Sequence, residues 1–341
     1  MTHRELKEHT GTYELNRVTR RFGGPVKRAL SGGTLALDEA SASLPGGRVY
    51  GLIGRNGAGK TTLLRAMAGQ LRVQGEVLVD GQPVWDNEAA LDRLILSGPD
   101  VPWPEGIKVR RLFAIAAARW EAWDQHYAEA LIEDFDLDTS KRLSELSRGQ
   151  KSLVSIVMGL AAQCPITLLD EPYLGLDVQN REQFYRHLMA DVERNPRTII
   201  LSTHHIDDAS RILDSVILLD KGRITGLGEL EDFTERIAIL SGSSSAVDAL
   251  RLDPSSIISD ATSAGLRRVT LDLHADSSGG RVSAGRLSRA LEGTGVRMQL
   301  ADLEQSVLAL TGREITIGAE VDSGVTREAL VNGPPRGGDL A

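Results

Sequence analysis

The chain has 341 residues, of which 41% are hydrophobic, and its 39 basic and 47 acidic residues give a net charge of −8. This length and composition indicate a soluble globular protein with two domains, or with one domain and an appendage, and the acidic balance gives no reason to expect a nucleic-acid partner. No apolar window approaches the roughly 18 to 20 residues that span a bilayer, and the start lacks a secretory signal, so we expect a cytoplasmic protein.

The first elements predict a small antiparallel β layer. Residues 1–12 are polar, and we expect them to form a flexible N-terminus. Partial alternation of apolar residues then predicts strands at 13–22 and 35–44. The sequence GEVLVDGQPV at 75–84 predicts a hairpin, because Asp80-Gly81 is a strong tight-turn signal between short apolar runs.

Between these strands, the sequence GRNGAGKTT, from Gly54 to Thr62, predicts a phosphate-binding loop. It follows an apolar run at 49–53 and precedes the helical pattern TLLRAMAG, which is the strand, loop and helix context that this motif requires. The glycines let successive backbone N–H groups point at an anion, which also meets the positive end of the helix. Lys60 would reach the β and γ phosphates, Thr61 would bind a magnesium ion, and Thr62 would contact the next phosphate.

The pattern becomes helical from 109 to 135, which predicts a helical subdomain at about 100–150. Trp103, Trp120 and Trp123 fall in or beside this region, and we expect them to pack in its core and not on an exposed docking surface. A helix is predicted at 151–163. Apolar runs at 166–170, 198–203 and 216–220 predict parallel strands covered on both faces.

Two segments of this region carry further candidate site residues. ITLLDEP, 166–172, is an apolar strand that ends in adjacent carboxylates, a geometry that puts Asp170 near a magnesium ion and Glu171 toward an attacking water. LSRGQ, 146–150, immediately precedes a helix, so Ser147 and Gly149 can present a second positive helix end to phosphate. The alternative interpretation of Ser147 is a plain helix cap.

Beyond residue 230 the elements are smaller. Strands are predicted at 236–240, 267–273 and 296–300, and helices at 246–252, 283–292 and 303–310, which fits a split βαβ arrangement. We therefore predict an α/β protein with a P-loop NTPase core at 13–230, which includes the small antiparallel β layer and the helical subdomain. A small α+β C-terminal appendage at 231–318 and a disordered tail at 319–341 would follow.

Taken together, residues 12–225 resemble the nucleotide-binding subunits of ABC transporters. GRNGAGKTT resembles the Walker A loop, ITLLDEP the Walker B strand with its catalytic glutamate, LSRGQ the signature motif and LGLD, 174–177, the D-loop. LSTHHIDDA places His204, more than His205, at the position of the switch histidine. The resemblance implies that Lys60, Glu171 and His204 are catalytic. It assigns ATP binding to Phe22, Gly54, Asn56, Gly57, Ala58, Gly59, Lys60, Thr61, Thr62, Ser147, Gly149, Gln150 and Asp177.

The sequence also departs from the family pattern. Arg148 stands where the family usually has glycine, and we expect activity to survive this change because a backbone N–H remains. Pro99 and Asp100 stand near the position of a glutamine that binds magnesium and water. Asp100 could supply an oxygen ligand instead, whereas Pro99 cannot donate a hydrogen bond. Phe22 occupies the place of an aromatic residue that stacks on adenine, and a core phenylalanine is the alternative.

The resemblance implies an ATPase that uses ATP and Mg²⁺, Thr61 and Asp170 being the magnesium ligands. Two nucleotide-binding subunits, either two copies or a copy and a paralogue, would sandwich ATP and drive a transmembrane permease subunit at the inner face of the cell membrane. The segments RWEAWD and LEQSVLALTG are similar to export-type subunits. The alternatives are a soluble ABC ATPase in assembly or repair and a non-hydrolysing nucleotide-dependent regulator.

Overall fold

The computed structural model describes residues 11–23, 33–203, 206–274 and 284–311. The chain divides into two compact units, Met1–Gly228 and Glu229–Ala341. The strands are β1 (Tyr13–Phe22), β2 (Thr34–Leu44), β3 (Val49–Ile53), β4 (Gln74–Val79), β5 (Gln82–Pro83), β6 (Leu94–Ser97), β7 (Ile166–Asp170), β8 (Thr198–Thr203), β9 (Ser215–Asp220), β10 (Arg223–Glu229), β11 (Ile237–Ser243), β12 (Ile257–Ser263), β13 (Leu266–Asp272) and β14 (Arg297–Leu300). The helices are α1 (Lys60–Met67), α2 (Glu88–Leu91), α3 (Val109–Arg119), α4 (Gln125–Asp134), α5 (Arg148–Ala161), α6 (Val178–Arg194), α7 (Ile206–Ser210), α8 (Leu230–Thr234), α9 (Ser244–Asp248), α10 (Ala284–Ala290) and α11 (Leu303–Thr311).

The first unit contains a six-stranded sheet in the order β10-β9-β3-β8-β7-β6. Strand β3 pairs in parallel with β8 and β9, and β7 pairs in parallel with β6 and β8. Strands β3, β6 and β8 are buried along their whole length. Continuous burial of this kind is expected where both faces of a parallel sheet are covered. The strands predicted at 166–170, 198–203 and 216–220 are confirmed as β7, β8 and β9, which pair in parallel with neighbouring strands and are buried except at the last residue of β7 and of β9.

A second sheet in this unit is antiparallel and has the order β2-β1-β4-β5. Asp80 and Gly81 join β4 to β5, and both adopt positive φ angles, 50° and 76°, as a two-residue hairpin turn requires. The predicted hairpin and antiparallel layer are therefore confirmed. The phenol of Tyr13 on β1 donates to the carbonyl of Met67 at 3.0 Å, which ties this sheet to α1.

The helical segment between β6 and β7 has a core of its own. Buried side chains from α3 and α4 supply it: Val109, Leu112, Phe113, Ala116, Tyr127, Ala128 and Leu131. All three predicted core tryptophans, Trp103, Trp120 and Trp123, are only half-buried. The expectation is therefore wrong for Trp103 and Trp120 and holds in part for Trp123, whose ring centre lies 6.3 Å from that of the buried Phe113. The tryptophans lie in the connections that flank the helices, where Trp120 directly follows α3 as its C-cap, and the helices bury smaller apolar side chains.

The second unit has one antiparallel sheet in the order β12-β13-β11-β14. One face packs on α9 and α10 through a cluster that includes Leu240, Val247 and Leu287, and Ile237 and Ile239 on the other face pack near α11. This order matches the predicted split βαβ arrangement. Strand β12 was missed because its sequence, IISDATS, is largely exposed and has no apolar alternation.

Two expectations about the ends of the chain lie outside the described residues. These are the flexibility predicted for 1–12, of which only residues 11 and 12 are described, and the disorder predicted for 319–341. In the described part of the chain, none of the helices combines the length and the apolar character that a membrane span requires.

Candidate active site

The loop between β3 and α1 holds Lys60 inside the protein. Lys60 is the first residue of α1, is only 6% exposed, and donates from Nζ to the carbonyl of Gly54 at 2.8 Å. Gly59 precedes it with a φ of 108°, and a Cβ there would lie 2.5 Å from the carbonyl oxygen of Ala36. Only glycine fits this turn, so the sequence GAGK fixes the position of the lysine.

The carboxyl ends of β7 and β8 bring the acidic pair next to one serine. Ser202 on β8 donates from Oγ to Oδ1 of Asp170 at 2.7 Å, and Ser202 Oγ also accepts from the backbone N–H of Glu171 at 2.9 Å. Ser202 is a residue of the site that the sequence did not predict. The sequence shows only a hydroxyl near the end of an otherwise apolar strand. Its role becomes visible when β7 and β8 pair, because Asp170 and Ser202 are then partners in the sheet.

The charged groups of the site are all partly or fully removed from water. Burial raises the pKa of the Asp170 carboxyl group, and hydrogen bonds from Ser202 and Thr61 oppose that shift. Burial also lowers the pKa of Lys60, while the charges of Glu171 and Asp170 oppose it. A group with such a shift gains from an added charge of opposite sign, so Asp170 favours a cation and Lys60 favours an anion.

These preferences fit a polyphosphate with a divalent cation. Lys60 Nζ lies 3.9 Å from Oε1 of Glu171, so the ammonium group of Lys60 contacts both the loop and the acidic pair. The hydroxyl of Thr61 bonds to the carboxylate of Asp170, and these hard oxygen donors are the kind that Mg²⁺ prefers. Glu171 has a φ of 45°, a left-handed conformation that is uncommon for a side-chain-bearing residue and that often marks functional sites.

The LSRGQ segment forms a second group of candidate residues at the start of α5. Ser147 caps the helix by accepting from the backbone N–H of Gln150 at 3.2 Å, and the side chain of Gln150 accepts from the N–H of Ser147 at 3.1 Å. Ser147 is exposed. Ser147 therefore caps α5, whose positive end faces outward, and its assignment to ATP binding stays a prediction.

Gly149 packs against the backbone of the LGLD segment. A Cβ at Gly149 would lie 2.4 Å from the carbonyl oxygen of Gly175. Asp177, which ends that segment, accepts from the N–H of Asn180 at 2.8 Å and caps α6. The carboxylate of Asp177 thus has a structural partner, and its assignment to ATP binding stays a prediction.

The remaining predicted site residues have different outcomes. Phe22 is 38% exposed with the Arg20 guanidinium 4.9 Å from its ring centre, so it is not a core residue, and adenine stacking stays a prediction. His204 and His205 lie outside the described residues. The carboxylate of Asp100 contacts Arg148 at 3.0 Å, so a magnesium-binding role would require that ion pair to open.

Comparisons with known proteins place the chain in a family. The model of the ABC transporter family matches residues 37–174. An uncharacterized ABC transporter ATP-binding protein of Methanocaldococcus jannaschii is 30% identical over 213 residues, which cover 60% of this chain and 76% of that protein. The chain belongs to the ABC transporter ATP-binding family.

Other similarities agree on the ABC fold. A ribose import ATP-binding protein of Rhizobium johnstonii is 31% identical over 214 residues, which cover 59% of this chain and 41% of that protein. A solved structure of an ATP-binding subunit of an ABC transporter has a TM-score of 0.55 at 24% identity, over 65% of this chain and 91% of that one. The structural likeness supports the predicted α/β P-loop fold. The family match makes the chain an ATP-binding subunit of an ABC transporter and an ATPase.

The contact between Gly149 and Gly175 gives a test of the role predicted for the LSRGQ segment. Alanine favours helices over glycine by about 1 kcal/mol, so Gly149→Ala would stabilise α5 if space allowed. Because the new Cβ would meet Gly175 O, we expect the signature to shift and ATP turnover to fall by about 10- to 100-fold. Steady-state ATPase assays would measure this. Gly106→Ala, where a Cβ meets nothing within 4 Å, is the control, and equal rates for both variants would contradict the expectation.

Proposed function

We propose that this ABC subunit hydrolyses ATP·Mg²⁺ between two nucleotide-binding subunits and so drives a separate membrane subunit. The observation that carries the proposal is the cluster in which Ser202 fixes Asp170 and the backbone of Glu171 beside Lys60. Lys60 and the loop amides would bind the phosphates, and Thr61 and Asp170 would hold the magnesium, which supplies charge neutralisation on the phosphates. Glu171 would orient and deprotonate the attacking water, with His204 at the γ-phosphate.

The other side of the nucleotide would come from a second subunit. Ser147 and Gly149 stand at the exposed start of α5, whose positive end suits a phosphate bound to a partner. ATP would then link the two subunits, and hydrolysis would release them by replacing the shared γ-phosphate with separate products. The partner would be a second copy of this chain or a paralogue.

The membrane subunit would dock beside the segment that follows β6. A cleft of about 250 Å³ opens there, lined by Pro99, Asp100, Pro102, Trp103 and side chains of α5. This docking would hold the subunit at the inner face of the cell membrane.

Export is the direction predicted from the segments RWEAWD and LEQSVLALTG, and it stays a prediction. The matched relatives include a ribose import protein, so the nucleotide-binding region by itself does not favour either direction. The second unit, Glu229–Ala341, would serve regulation or dimer support. The membrane subunit would bind the transported solute and would therefore decide which solute is moved.

The two alternatives make different predictions for purified protein. A soluble ABC ATPase in assembly or repair would hydrolyse ATP but bind no membrane subunit. A non-hydrolysing regulator would bind ATP, with turnover no higher than that of Glu171→Gln. Measuring turnover and membrane-subunit binding on the same preparation separates both alternatives from the transporter motor.

The decisive experiment purifies the tagged chain from detergent-solubilised membranes of its own organism. We expect co-purification of one protein with several membrane-spanning helices, and loss of that protein when Pro102→Glu places a charge in the cleft. Met189→Glu, on an exposed position of α6, is the matched control and should retain the partner. Equal recovery of the membrane protein with both variants would contradict the docking site. Recovery of no membrane protein with the unmodified chain would contradict the transporter motor.

A further inference from the structure

Two of the residues at which this chain departs from the ABC pattern, Arg148 and Asp100, contact each other. Arg148 in the signature donates from Nη2 to Oδ2 of Asp100 at 3.0 Å, although 48 residues separate them in the chain. Both side chains lie at the surface, 59% and 67% exposed. Arg148 begins α5 directly after the cap Ser147, so its guanidinium lies beside the helix end that the proposed function assigns to a partner's nucleotide.

Asp100 connects this signature residue with two other parts of the subunit. Its main-chain carbonyl accepts from Nη2 of Arg65 at 3.4 Å, and Arg65 lies on the helix that follows the Walker A loop. Asp100 also lines the cleft assigned to the membrane subunit. Two residues earlier, a Cβ on Gly98 would lie 2.5 Å from the carbonyl oxygen of Asp170, so this segment packs directly on the Walker B strand.

When two subunits bind ATP between them, Arg148 can bind the triphosphate, which carries more negative charge than Asp100. A guanidinium binds phosphate oxygens as readily as carboxylate oxygens, and a triphosphate carries several negative charges where Asp100 carries one. An exposed ion pair is also weak, because water and salt screen it. The pair can therefore open at little cost when a partner presents its nucleotide to the start of α5.

We propose that Arg148 exchanges Asp100 for the triphosphate bound by the partner subunit, and that the released Asp100 segment carries this event to the membrane-subunit cleft. The inference rests on the proposed function, since it requires ATP to lie between two subunits. In this proposal, the exchange of the Arg148–Asp100 ion pair couples nucleotide binding to the cleft. It would act at the position where the glutamine of the family pattern is missing. Each state of the pair would favour one arrangement of the cleft, so binding at either site would bias the other.

The first test measures ATP-dependent dimerisation by analytical ultracentrifugation in a hydrolysis-blocked Glu171→Gln parent. Asp100→Asn removes the competing carboxylate without changing the size of the side chain. We expect it to lower the dimer dissociation constant about three- to tenfold. The parent must break one exposed Arg148–Asp100 pair in each of its two subunits to dimerise, and the variant has no such pair to break. Asp92→Asn, which removes a similar exposed pair with Arg119, should leave dimerisation unchanged.

The same substitution in an Arg148→Gly background isolates the exchange from general electrostatics. Without the arginine, Asp100→Asn should no longer tighten the dimer, because there is no guanidinium to release. An equal tightening in both backgrounds would overturn the proposal. So would a weaker dimer for Asp100→Asn with Arg148 present, which is the result expected if Asp100 were a magnesium ligand.

The second test observes the cleft directly through Trp103 fluorescence. Trp85, Trp120 and Trp123 are replaced by phenylalanine, so that Trp103 is the only emitter among the four tryptophans. ATP·Mg²⁺ should change its emission in the Glu171→Gln parent, and most of that change should be lost after Arg148→Gly. An unchanged response after Arg148→Gly would overturn the link to the cleft.

The failure of this inference is distinguishable from the failure of the proposed function. If the Glu171→Gln parent stays monomeric at saturating ATP·Mg²⁺ even with its membrane subunit present, the shared-nucleotide mechanism fails. If the parent dimerises but Asp100→Asn has no effect that depends on Arg148, only the exchange fails.

Discussion

Replacing Glu171 with glutamine is expected to lower ATP turnover by a factor of about 100 to 10,000, the range that general base catalysis contributes. The amide keeps the size of the side chain and the backbone bond to Ser202, but it cannot accept a proton from water. ATP binding should be retained, because Lys60 and the loop keep their positions. Single-turnover hydrolysis and equilibrium nucleotide binding, measured on the same sample, separate the two effects.

Glu182→Gln is a suitable control, since Glu182 is exposed on α6. The substitution makes the same chemical change at a position away from the site. Its turnover should equal that of the wild-type chain. A Glu171→Gln protein with more than about a tenth of normal turnover would remove Glu171 from the role of base. Loss of ATP binding together with turnover would instead indicate that the substitution disturbs the loop around Lys60.

Replacing Arg197 with methionine is expected to lower the free energy of unfolding of the first unit by about 3 to 5 kcal/mol. Arg197 and Asp191 are 1% and 0% exposed, and Nη2 of the arginine lies 2.5 Å from Oδ2 of the aspartate. Without the guanidinium the carboxylate would stay buried with Gln163, at 3.0 Å, as its nearest described donor. A buried charge that loses its partner carries its full desolvation penalty.

Urea unfolding followed by tryptophan fluorescence measures this effect, because all four tryptophans lie in the first unit. The double variant Asp191→Leu with Arg197→Met should recover most of the loss, since it removes both charges. Arg194→Ala is the control, because Arg194 approaches the same carboxylate at 3.7 Å but is 60% exposed, and it should cost at most about 1 kcal/mol. Equal losses for Arg194→Ala and Arg197→Met would contradict the assignment.

The local elements of the nucleotide site were predictable because their signals are short in sequence. The positive φ of Gly59 and of the Asp80-Gly81 turn follows from residues that tolerate this conformation. The predicted helix at 151–163 begins earlier in the structure, at Arg148, because Ser147 caps it. Apolar runs gave the parallel strands, and the acidic pair after 166–169 was placed correctly at a strand end.

Residues whose role depends on a distant neighbour were not predictable in the same way. Ser202 is an ordinary strand residue until β8 pairs with β7 and brings it to Asp170. The tryptophans of the helical segment were assigned to its core by hydrophobicity, but their positions in connections leave them half-buried. Strand β12 has no sequence pattern and forms because β13 offers it a hydrogen-bonding edge.

The sequence by itself determined the phosphate loop, the parallel strands, the acidic strand end and the family, because each depends on residue types within a few positions of one another. Only the tertiary structure decided that Ser202 contacts both acidic residues, that Arg197 and Asp191 form a buried ion pair, and that Arg148 contacts Asp100. The physical reason is distance along the chain. A contact between Arg148 and Asp100, 48 residues apart, depends on the packing of α5 against the end of β6, which no local pattern of residues specifies.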